Sequence, residues 1–288
     1  RPRLKLITWL TKEHIIRTKI VPFFGPKRMC DITPKDVVDW QNRMVGSYDD
    51  EGKPYSGTYL RTINNQLSAI FNHAVKYYGL GKSPATPTIK IGERKGAEMR
   101  FWTKEQYLAF SEEVMDKPAS FYAFEILYWC GLRVGELLAL EPNDIDLGKC
   151  LIHVTKSYQR IRRRDVITSP KTPKSKRDVV MPEFLADELA DFLGSIPEER
   201  RACRIFCFTK SYLHHEMKRG CAACGLEPIR IHDLRHSHVS LLIEMGFSAI
   251  AIADRLGHET YEMTLRYAHL FPSKQSDMAA ALDQGRRP

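Results

Sequence analysis

Four short motifs in the second half of the chain hold two arginines, two histidines and a tyrosine: GLRVGEL at 131–137, HDLRHSH at 232–238, LGH at 256–258 and LRYAHL at 265–270. A phosphodiester under attack gains negative charge on its non-bridging oxygens, so cleavage without a metal requires fixed cationic donors directed at those oxygens. Arg133 and Arg235 suit this role. The attack also needs a nucleophile, for which Tyr267 is suited, and a proton donor for the departing 5′ oxygen. The motifs therefore predict phosphoryl transfer to a tyrosine.

The order and spacing of these motifs resemble the pattern of tyrosine recombinases of the phage and conjugative-transposon integrase type. The matching residues are Arg133 with Glu136 three positions later, His232-x-x-Arg235, His258 after Leu-Gly, and Tyr267 nine residues further on. Four motifs in the right order are far more specific than any one tetrapeptide. The resemblance covers essentially the whole chain.

The resemblance implies a site-specific DNA recombinase, an integrase or excisionase of a mobile element such as a phage or transposon. Tyr267 would attack a phosphodiester and leave a 3′-phosphotyrosyl bond and a free 5′ hydroxyl, so that rejoining needs no ATP, metal or cofactor. Two strand exchanges through a Holliday junction would complete the reaction in a homotetramer on two double-stranded DNA sites. Accessory excision or DNA-bending proteins are candidate partners. Glu136 is interpreted either as supporting a catalytic side chain or as a plain salt-bridging glutamate.

Two other functions fit the same residues. A type IB topoisomerase-like enzyme nicks and closes DNA with similar chemistry as a monomer, and a non-catalytic DNA-binding protein can keep the same fold. Trapping of covalent protein on nicked DNA separates the enzymes from the binding protein. Strand exchange between two sites separates the recombinase from the topoisomerase.

A basic segment follows the first motif, with eight Lys and Arg and one acid between Arg160 and Arg177. The resembling family carries a catalytic lysine on a hairpin of this kind, and Lys171 best matches its position, with Lys174 and Lys176 as alternatives. Its role would be general acid for the leaving 5′ oxygen, with a pKa lowered by nearby arginines. The basic residues of the segment are also predicted to contact DNA: Arg162, Arg163, Arg164, Lys174, Lys176 and Arg177.

The chain is expected to be mainly α with a small antiparallel β-sheet, arranged as a two-domain DNA clamp. A helical core-binding domain is predicted at 1–97, with a Gly- and Pro-rich exposed linker at about 80–100. An α+β catalytic domain is predicted at 98–288. It would end in a tail helix at 272–285, which the resemblance places in a neighbouring subunit.

The N-terminal domain shows helix start signals and helical periodicity. Thr33-Pro34-Lys35-Asp36 provides a hydroxyl N-cap, a proline at the first helical position and a carboxylate at the third. A second helix from about Ser56 has apolar residues at three- and four-residue spacing, which predicts one buried face. Its opposite face is either solvated or reads DNA, since Arg pairs with guanine and Asn with adenine. The candidate DNA-binding residues of this face are Arg61, Asn64, Asn65 and Lys76.

The second domain is expected to begin with a helix capped by Thr103 and Gln106. Helices are predicted over Phe121–Trp129 and Arg133–Leu140, which puts Arg133 at or near a helix N-terminus. The runs Cys150–Lys156, Ser157–Ile167 and Asp178–Met181 predict one short antiparallel sheet. His236 and His238 are interpreted as structural, because they would project away from His232 and Arg235.

The seven cysteines suggest no disulfide framework, because the chain is long and is expected to act in the cytoplasm. Cys203, Cys207, Cys221 and Cys224 have a spacing that could hold a structural zinc, although Cys203 and Cys207 read better as core residues flanking an apolar strand. No apolar run approaches a membrane span and no signal peptide opens the chain, so cytoplasmic action on DNA, in a bacterium or from a phage, is expected. The start at Arg1 without a methionine suggests a fragment, leaving open whether an arm-binding domain precedes it.

The charge distribution yields the first testable prediction. Residues 1–97 hold 17 Lys and Arg against 8 Asp and Glu, whereas 98–288 hold 27 of each, so the first third carries the whole net charge of +9. Deleting residues 1–97 should flatten the plot of log DNA affinity against log salt concentration, because fewer counterions are released on binding. An unchanged slope would place the main phosphate contacts in the basic segment at 160–177.

Overall fold

The chain divides into two compact units, Arg1–Glu98 and Met99–Pro288. The computed structural model describes residues 4–93, 99–170, 172–200, 203–265 and 267, apart from the side chains of Pro173, Arg200 and Met263. The predicted tail helix at 272–285 lies outside these residues. No helix in the described ranges combines the length and apolar composition needed to cross a bilayer.

The first unit is helical, as its sequence predicts. Helix α1 (Leu6–Ile15) continues through a π-helical turn (Ile16–Ile20) into α2 (Val21–Phe24), and a 3₁₀ turn (Met29–Asp31) precedes α3 (Pro34–Val45) and α4 (Gly57–Tyr77). The predicted cap of α3 is confirmed, since the Thr33 hydroxyl accepts from the Asp36 N–H and the Asp36 carboxylate accepts from Thr33 N–H. Trp40 fills the centre of the core and donates its indole N–H to the Lys19 carbonyl at 2.8 Å.

Residues 80–93 are more firmly packed than the exposed linker expected from their composition. Ser83 and Pro84 are buried, and the Gln41 amide donates to the Ile89 carbonyl at 2.9 Å. A Cβ built on Gly57 would lie 2.6 Å from the Glu93 carbonyl oxygen, so the segment runs directly against the start of α4. Gly92 serves close backbone approach within the unit, since its φ is +86° and a Cβ there would collide with the Gly57 carbonyl oxygen.

The second unit contains eight α-helices among its described residues: α5 (Lys104–Glu112), α6 (Pro118–Trp129), α7 (Val134–Leu137), α8 (Glu183–Gly194), α9 (Lys210–Cys224), α10 (Asp233–Glu244), α11 (Ala249–Leu256) and α12 (Glu262–Leu265). Single 3₁₀ turns lie at Pro142–Asp144, Pro173–Ser175 and Glu198–Arg200. The predicted capping box at Thr103 and Gln106 is confirmed. Helix α6 is mainly apolar and lies in the core, with Phe124, Ile126 and Tyr128 fully buried.

The β region forms two small sheets rather than one. Strands β1 (Ile145–Asp146), β2 (Leu151–Val154) and β5 (Arg177–Val180) make an antiparallel sheet in the order β1-β2-β5, with Leu151 opposite Val180. Strands β3 (Ser157–Ile161) and β4 (Arg164–Thr168) make a separate hairpin, so the run predicted as one strand from Ser157 to Ile167 is wrong. The chain reverses at Arg162-Arg163, whose φ angles are 49° and 65°. Arginine at both turn positions gives none of the usual Gly or Asn signal for this reversal.

The loop between α6 and α7 carries the first arginine motif and depends on Gly131. Its φ is +64°, and a Cβ there would lie 2.5 Å from the His238 ring and 3.0 Å from a Leu256 methyl carbon. The loop can therefore approach α10 and α11 only with glycine at this position. The carbonyl of the same residue accepts a hydrogen bond from Arg235 at 2.7 Å.

Gly131→Ala should destabilise the protein by more than backbone strain alone. The left-handed conformation costs a non-glycine residue about 1–2 kcal/mol, and the collision with His238 adds to it. Gly225→Ala is the matched control, because Gly225 has a φ of 71° with nothing within 4 Å of the added Cβ. Urea unfolding should give a clearly larger loss for Gly131→Ala; equal losses would mean that the loop moves aside freely.

Candidate active site

Arg235 lies at the centre of the predicted site and is almost wholly buried. It is 4% exposed, on the first turn of α10. Its guanidinium donates to the carbonyl of Gly131 and to that of Leu256, each at 2.7 Å. Burial and the nearby Arg133 lower its pKa, while Glu136 opposes that effect. One side chain therefore joins the first, second and third motifs.

Glu136 holds two guanidinium groups together beside Arg235. The carboxylate is 3% exposed and accepts from Arg133 at 2.7 Å and from Arg177 at 3.0 Å. Burial would raise the pKa of Glu136, but the charges and hydrogen bonds of Arg177 and Arg133 outweigh it, and the pKa is lowered. Arg133 keeps 31% of its side chain exposed. Of the two interpretations of Glu136, the geometry favours the supporting role.

Arg177 is placed differently from a DNA-contacting side chain. Its side chain is 7% exposed and donates to the Arg255 carbonyl at 3.0 Å and to Glu136. The prediction that Arg177 reaches DNA is corrected accordingly, since its donors are directed into the protein. A Cβ on Gly257 would lie 2.9 Å from the Arg177 side chain, so the glycine of the LGH motif makes this approach possible.

His232 and His258 are both neutral at physiological pH in this environment. His232 is an exposed residue, and partial removal of its ring from water, with His236 and Arg235 nearby, lowers its pKa to about 4. Burial, with Arg235 and Arg133 next in effect, lowers the pKa of His258 to about 3. The His258 Nδ1 is 2.8 Å from the Thr264 hydroxyl. Neutral imidazoles can each donate one N–H to a phosphate without adding charge.

Tyr267 lies in an apolar setting and makes its polar contact with a histidine assigned no role from the sequence. The tyrosine is 4% exposed and packs in a cluster with Val239, Ile243 and Leu256. Its hydroxyl is hydrogen-bonded to Nδ1 of His236, and the two ring centroids are 5.6 Å apart. The interpretation that His236 projects away from the site is therefore wrong. A one-turn separation from His232 on α10 was the available signal.

His238 is a core residue, as its sequence position suggested. It is 2% exposed and accepts from the Arg255 guanidinium at 3.1 Å. Burial and Arg255 lower its pKa to about 3.

The predicted catalytic lysine, Lys171, lies outside the described residues. The segment that follows it approaches the LGH motif, because a Cβ on Gly257 would lie 2.6 Å from the Lys174 carbonyl oxygen. Lys174 and Lys176 are exposed, and the Lys174 ammonium lies 5.7 Å from the Tyr261 ring centroid. Arg162, Arg163 and Arg164 are exposed on the β3–β4 hairpin.

The polar face of α4 retains most of its predicted residues. Asn65 and Lys76 are exposed and Arg61 is half-buried. Asn64 is not on this face: it is 4% exposed, and its side-chain oxygen accepts from the Gln41 amide at 2.8 Å. The position borders the apolar stripe of α4, and its partner on α3 makes it a buried polar contact that the sequence pattern cannot distinguish from a surface asparagine.

The four cysteines with possible zinc spacing do not converge. Cys203 and Cys207 are exposed and the Arg204–Phe206 segment is not a strand, so their interpretation as core residues is wrong. Cys221 is buried on α9, and burial raises the pKa of its thiol to about 12. Across the described part of the chain, no three His, Cys, Asp or Glu residues form a group that could hold a metal.

Two family models match separate parts of the chain, and relatives match nearly all of it. The phage integrase family model matches residues 100–274, and a model of the phage integrase N-terminal SAM-like domain matches residues 1–45. The ICEBs1 integrase of Bacillus subtilis (strain 168) is 31% identical over 292 residues, covering 94% of this chain and 76% of the relative. The integrase of Mycobacterium phage D29 is 27% identical, covering 93% of this chain and 71% of its own length.

Solved structures share the fold at low sequence identity. The Tn1549 transposon integrase, in complex with a circular intermediate DNA, superposes with a TM-score of 0.78 and 19% identity, covering 99% of this chain and 95% of that structure. A lambda integrase dimer bound to a core site has a TM-score of 0.65 and 21% identity, covering 92% of this chain and 72% of the lambda protein. Their agreement supports the fold class expected from the sequence.

Glu136→Gln should strongly destabilise the protein. The change keeps the side chain's shape but removes the buried negative charge between Arg133 and Arg177, and breaking a buried ion pair costs about 3–5 kcal/mol. Glu141→Gln is the control, because Glu141 pairs with Lys156 at 2.6 Å where the two side chains are 36% and 27% exposed. A partly exposed pair contributes below about 1 kcal/mol. Denaturant unfolding measures both; losses of similar size would contradict the role of Glu136.

Proposed function

Because the chain belongs to the phage integrase family and is a tyrosine-type site-specific DNA recombinase, we propose that Tyr267 is the nucleophile with which it cuts and rejoins DNA. The phenolic oxygen attacks a phosphodiester, forms a 3′-phosphotyrosyl bond and releases a 5′ hydroxyl. The observation that carries this assignment is that hydrogen bonds bring motifs distant in the sequence together. Arg235 ties Gly131 to Leu256, and Tyr267 joins the same helix through His236.

The positive groups near Tyr267 and Arg235 suit the negative charge of a pentavalent phosphate. Arg133 is the guanidinium with an exposed portion, so it is assigned to a non-bridging oxygen directly. Arg235 supplies the second positive charge from a fixed, water-poor position, where electrostatic stabilisation is strongest. His232 and His258 are assigned as neutral N–H donors to the same phosphate. Glu136 and Arg177 hold Arg133 in place.

The general acid is assigned to Lys171 on the family resemblance. It would protonate the leaving 5′ oxygen, and a lysine near guanidinium groups has a lowered pKa. Support comes from the neighbouring residues 174–177, which run against Gly257 and Glu136.

Two basic surfaces are assigned to DNA. The surface of the first unit lies on α4 and consists of the exposed Asn65 and Lys76 and the half-buried Arg61. The surface of the second unit consists of the hairpin arginines Arg162–Arg164 and the lysines Lys174 and Lys176. Phosphate contacts of this kind position a protein on a duplex, and Asn or Arg side chains add base reading.

Recombination between two sites requires more than one subunit. We assign the protein to a homotetramer on paired DNA sites, with two strand exchanges through a Holliday junction, a tail helix at 272–285 exchanged between subunits and accessory proteins that bend DNA or promote excision. The family pattern supports this assembly, and the cytoplasm is the assigned compartment for it.

Tyr267→Phe tests the nucleophile. The variant should bind DNA with unchanged affinity but form no covalent adduct, because only the phenolic oxygen enters the phosphotyrosyl bond. Wild-type protein is first trapped on DNA fragments, and sequencing them identifies the cleaved site; a duplex of that site, nicked beside the cleavage point, is then incubated with each protein. A DNA-linked band from the Phe variant would mean that another residue attacks. Exchange between two such duplexes by the wild type distinguishes a recombinase from a nicking and closing enzyme.

Arg133→Ala tests the phosphate role without removing a buried anchor. Loss of one preorganised donor costs about 100- to 1,000-fold in rate, so single-turnover cleavage should slow at least that far while affinity changes little. Arg235→Ala is a less direct test of the phosphate role, because the substitution would also leave the Gly131 and Leu256 carbonyls without their hydrogen-bond donor. Arg204→Ala is the matched control for losing an arginine that binds backbone carbonyls. Its guanidinium donates to the carbonyls of Leu138 and Phe206, which lie outside the motifs. Cleavage at saturation by Arg133→Ala that equals wild type would reduce Arg133 to a positioning group.

A further inference from the structure

His236 contacts the reacting atom of the proposed nucleophile. It lies on α10 one turn after His232, with 16% of its side chain exposed. Its Nδ1 is hydrogen-bonded to the Tyr267 hydroxyl. His236 lies within the second motif, at 232–238, but it is not one of the two positions there, His232 and Arg235, that match the recombinase pattern.

The surroundings of His236 favour a lone pair on Nδ1. The opposite ring nitrogen, Nε2, faces the Asp233 carboxylate, with an N–O distance of 3.7 Å. Asp233 is 1% exposed and is fixed by the Arg230 guanidinium, whose nearest nitrogen is 2.7 Å away. At 3.7 Å the interaction is electrostatic rather than a hydrogen bond, but a carboxylate on that side favours the hydrogen on Nε2. The tyrosine O–H then donates to Nδ1.

The ring can also take up a proton. Burial lowers the pKa of His236, with Asp233 opposing that effect and Arg230 and Arg235 adding to it, which favours the neutral ring. The titratable and charged groups around it are Asp233, His232, His258, Arg230, Arg235 and Tyr267. A neutral imidazole beside a fixed carboxylate is the usual arrangement of a general base.

We propose that His236 is a further catalytic residue: it orients the Tyr267 phenol and accepts its proton during the attack. The inference rests on the proposed function, in which Tyr267 is the nucleophile. The O–H bond of Tyr267 breaks and its proton moves to Nδ1, while the phenolic oxygen bonds to phosphorus and the bond from phosphorus to the 5′ oxygen breaks. The leaving oxygen takes its proton from the general acid assigned to Lys171. In rejoining, the His236 imidazolium returns the proton to the phenolic oxygen.

The other two site histidines are engaged differently. His258 directs its Nδ1 at the Thr264 hydroxyl. The His232 ring packs edge-on against His236 with centroids 5.2 Å apart. Both therefore remain available as donors to the phosphate, and the proton of the nucleophile has its own acceptor.

His236→Asn separates proton transfer from orientation. The asparagine side-chain oxygen can take the place of Nδ1 as acceptor from Tyr267, but an amide does not accept the proton. Single-turnover cleavage of the nicked duplex described above should fall at least about 100-fold, the usual contribution of a general base. DNA affinity and thermal unfolding should stay near wild type. His215→Asn, a change of an exposed histidine on α9, should leave cleavage unaltered.

The pH profile gives the readout that a structural role would not change. Without the base, the reactive form is the tyrosinate, whose fraction rises about tenfold per pH unit below the pKa of the phenol. The His236→Asn rate should therefore climb about tenfold per unit between pH 7 and 9, while the wild-type rate stays nearly level. A duplex in which sulfur replaces the bridging 5′ oxygen should not restore the cleavage rate of His236→Asn. A thiolate leaves without being protonated, so this substrate removes the need for the general acid but not for the general base.

Two results would overturn the proposal. One is cleavage by His236→Asn at the wild-type rate; the other is a slower rate with the wild-type pH profile, which would make His236 a packing or orienting residue. An adduct formed by Tyr267→Phe would instead remove the proposed function itself, so the two failures are distinguishable.

Discussion

The buried Arg235 guanidinium is the interaction on which the rest of the site depends. A cation at this depth is stable only when its N–H groups have acceptors, and here the backbone carbonyls of Gly131 and Leu256 supply them. Those carbonyls come from the loop before α7 and from the end of α11. The same contact that satisfies the arginine therefore fixes the positions of the first and third motifs, so the fold of the second unit and the geometry of the site cannot vary independently.

Charge balance follows from this arrangement. Arg133, Arg177 and Arg235 act on one another through the protein, and Glu136 is the buried carboxylate that lies between the first two. One negative charge among three positive ones leaves an excess that a phosphate diester can balance. Removal from water is the main cause of the lowered pKa values of His232 and His258, and the nearby arginines add to it, because they oppose a further positive charge. The site is thus preorganised for an anion before DNA arrives.

Local sequence signals predicted local structure well, and contacts between distant residues were missed. Thr33 and Thr103 cap their helices because a hydroxyl three residues before an N–H is a short-range interaction. Asn64 was misplaced because its partner Gln41 lies on another helix. His236 was overlooked for the same reason: Tyr267 is 31 positions away. The sequence predicts one strand from Ser157 to Ile167 where the structure has a hairpin, because arginine at positions 162 and 163 gives no turn signal.

That hairpin turn has a consequence for protein engineering. Arg162 and Arg163 both adopt positive φ angles, at a cost of about 1–2 kcal/mol each relative to glycine. A sequence selected only for heat resistance would carry Asn-Gly at these two positions. The substitution would also remove two exposed cations from the hairpin tip. Thermostability and affinity for a polyanion therefore make opposite demands on this dipeptide. A screen that measures only one of the two properties will select residues that weaken the other.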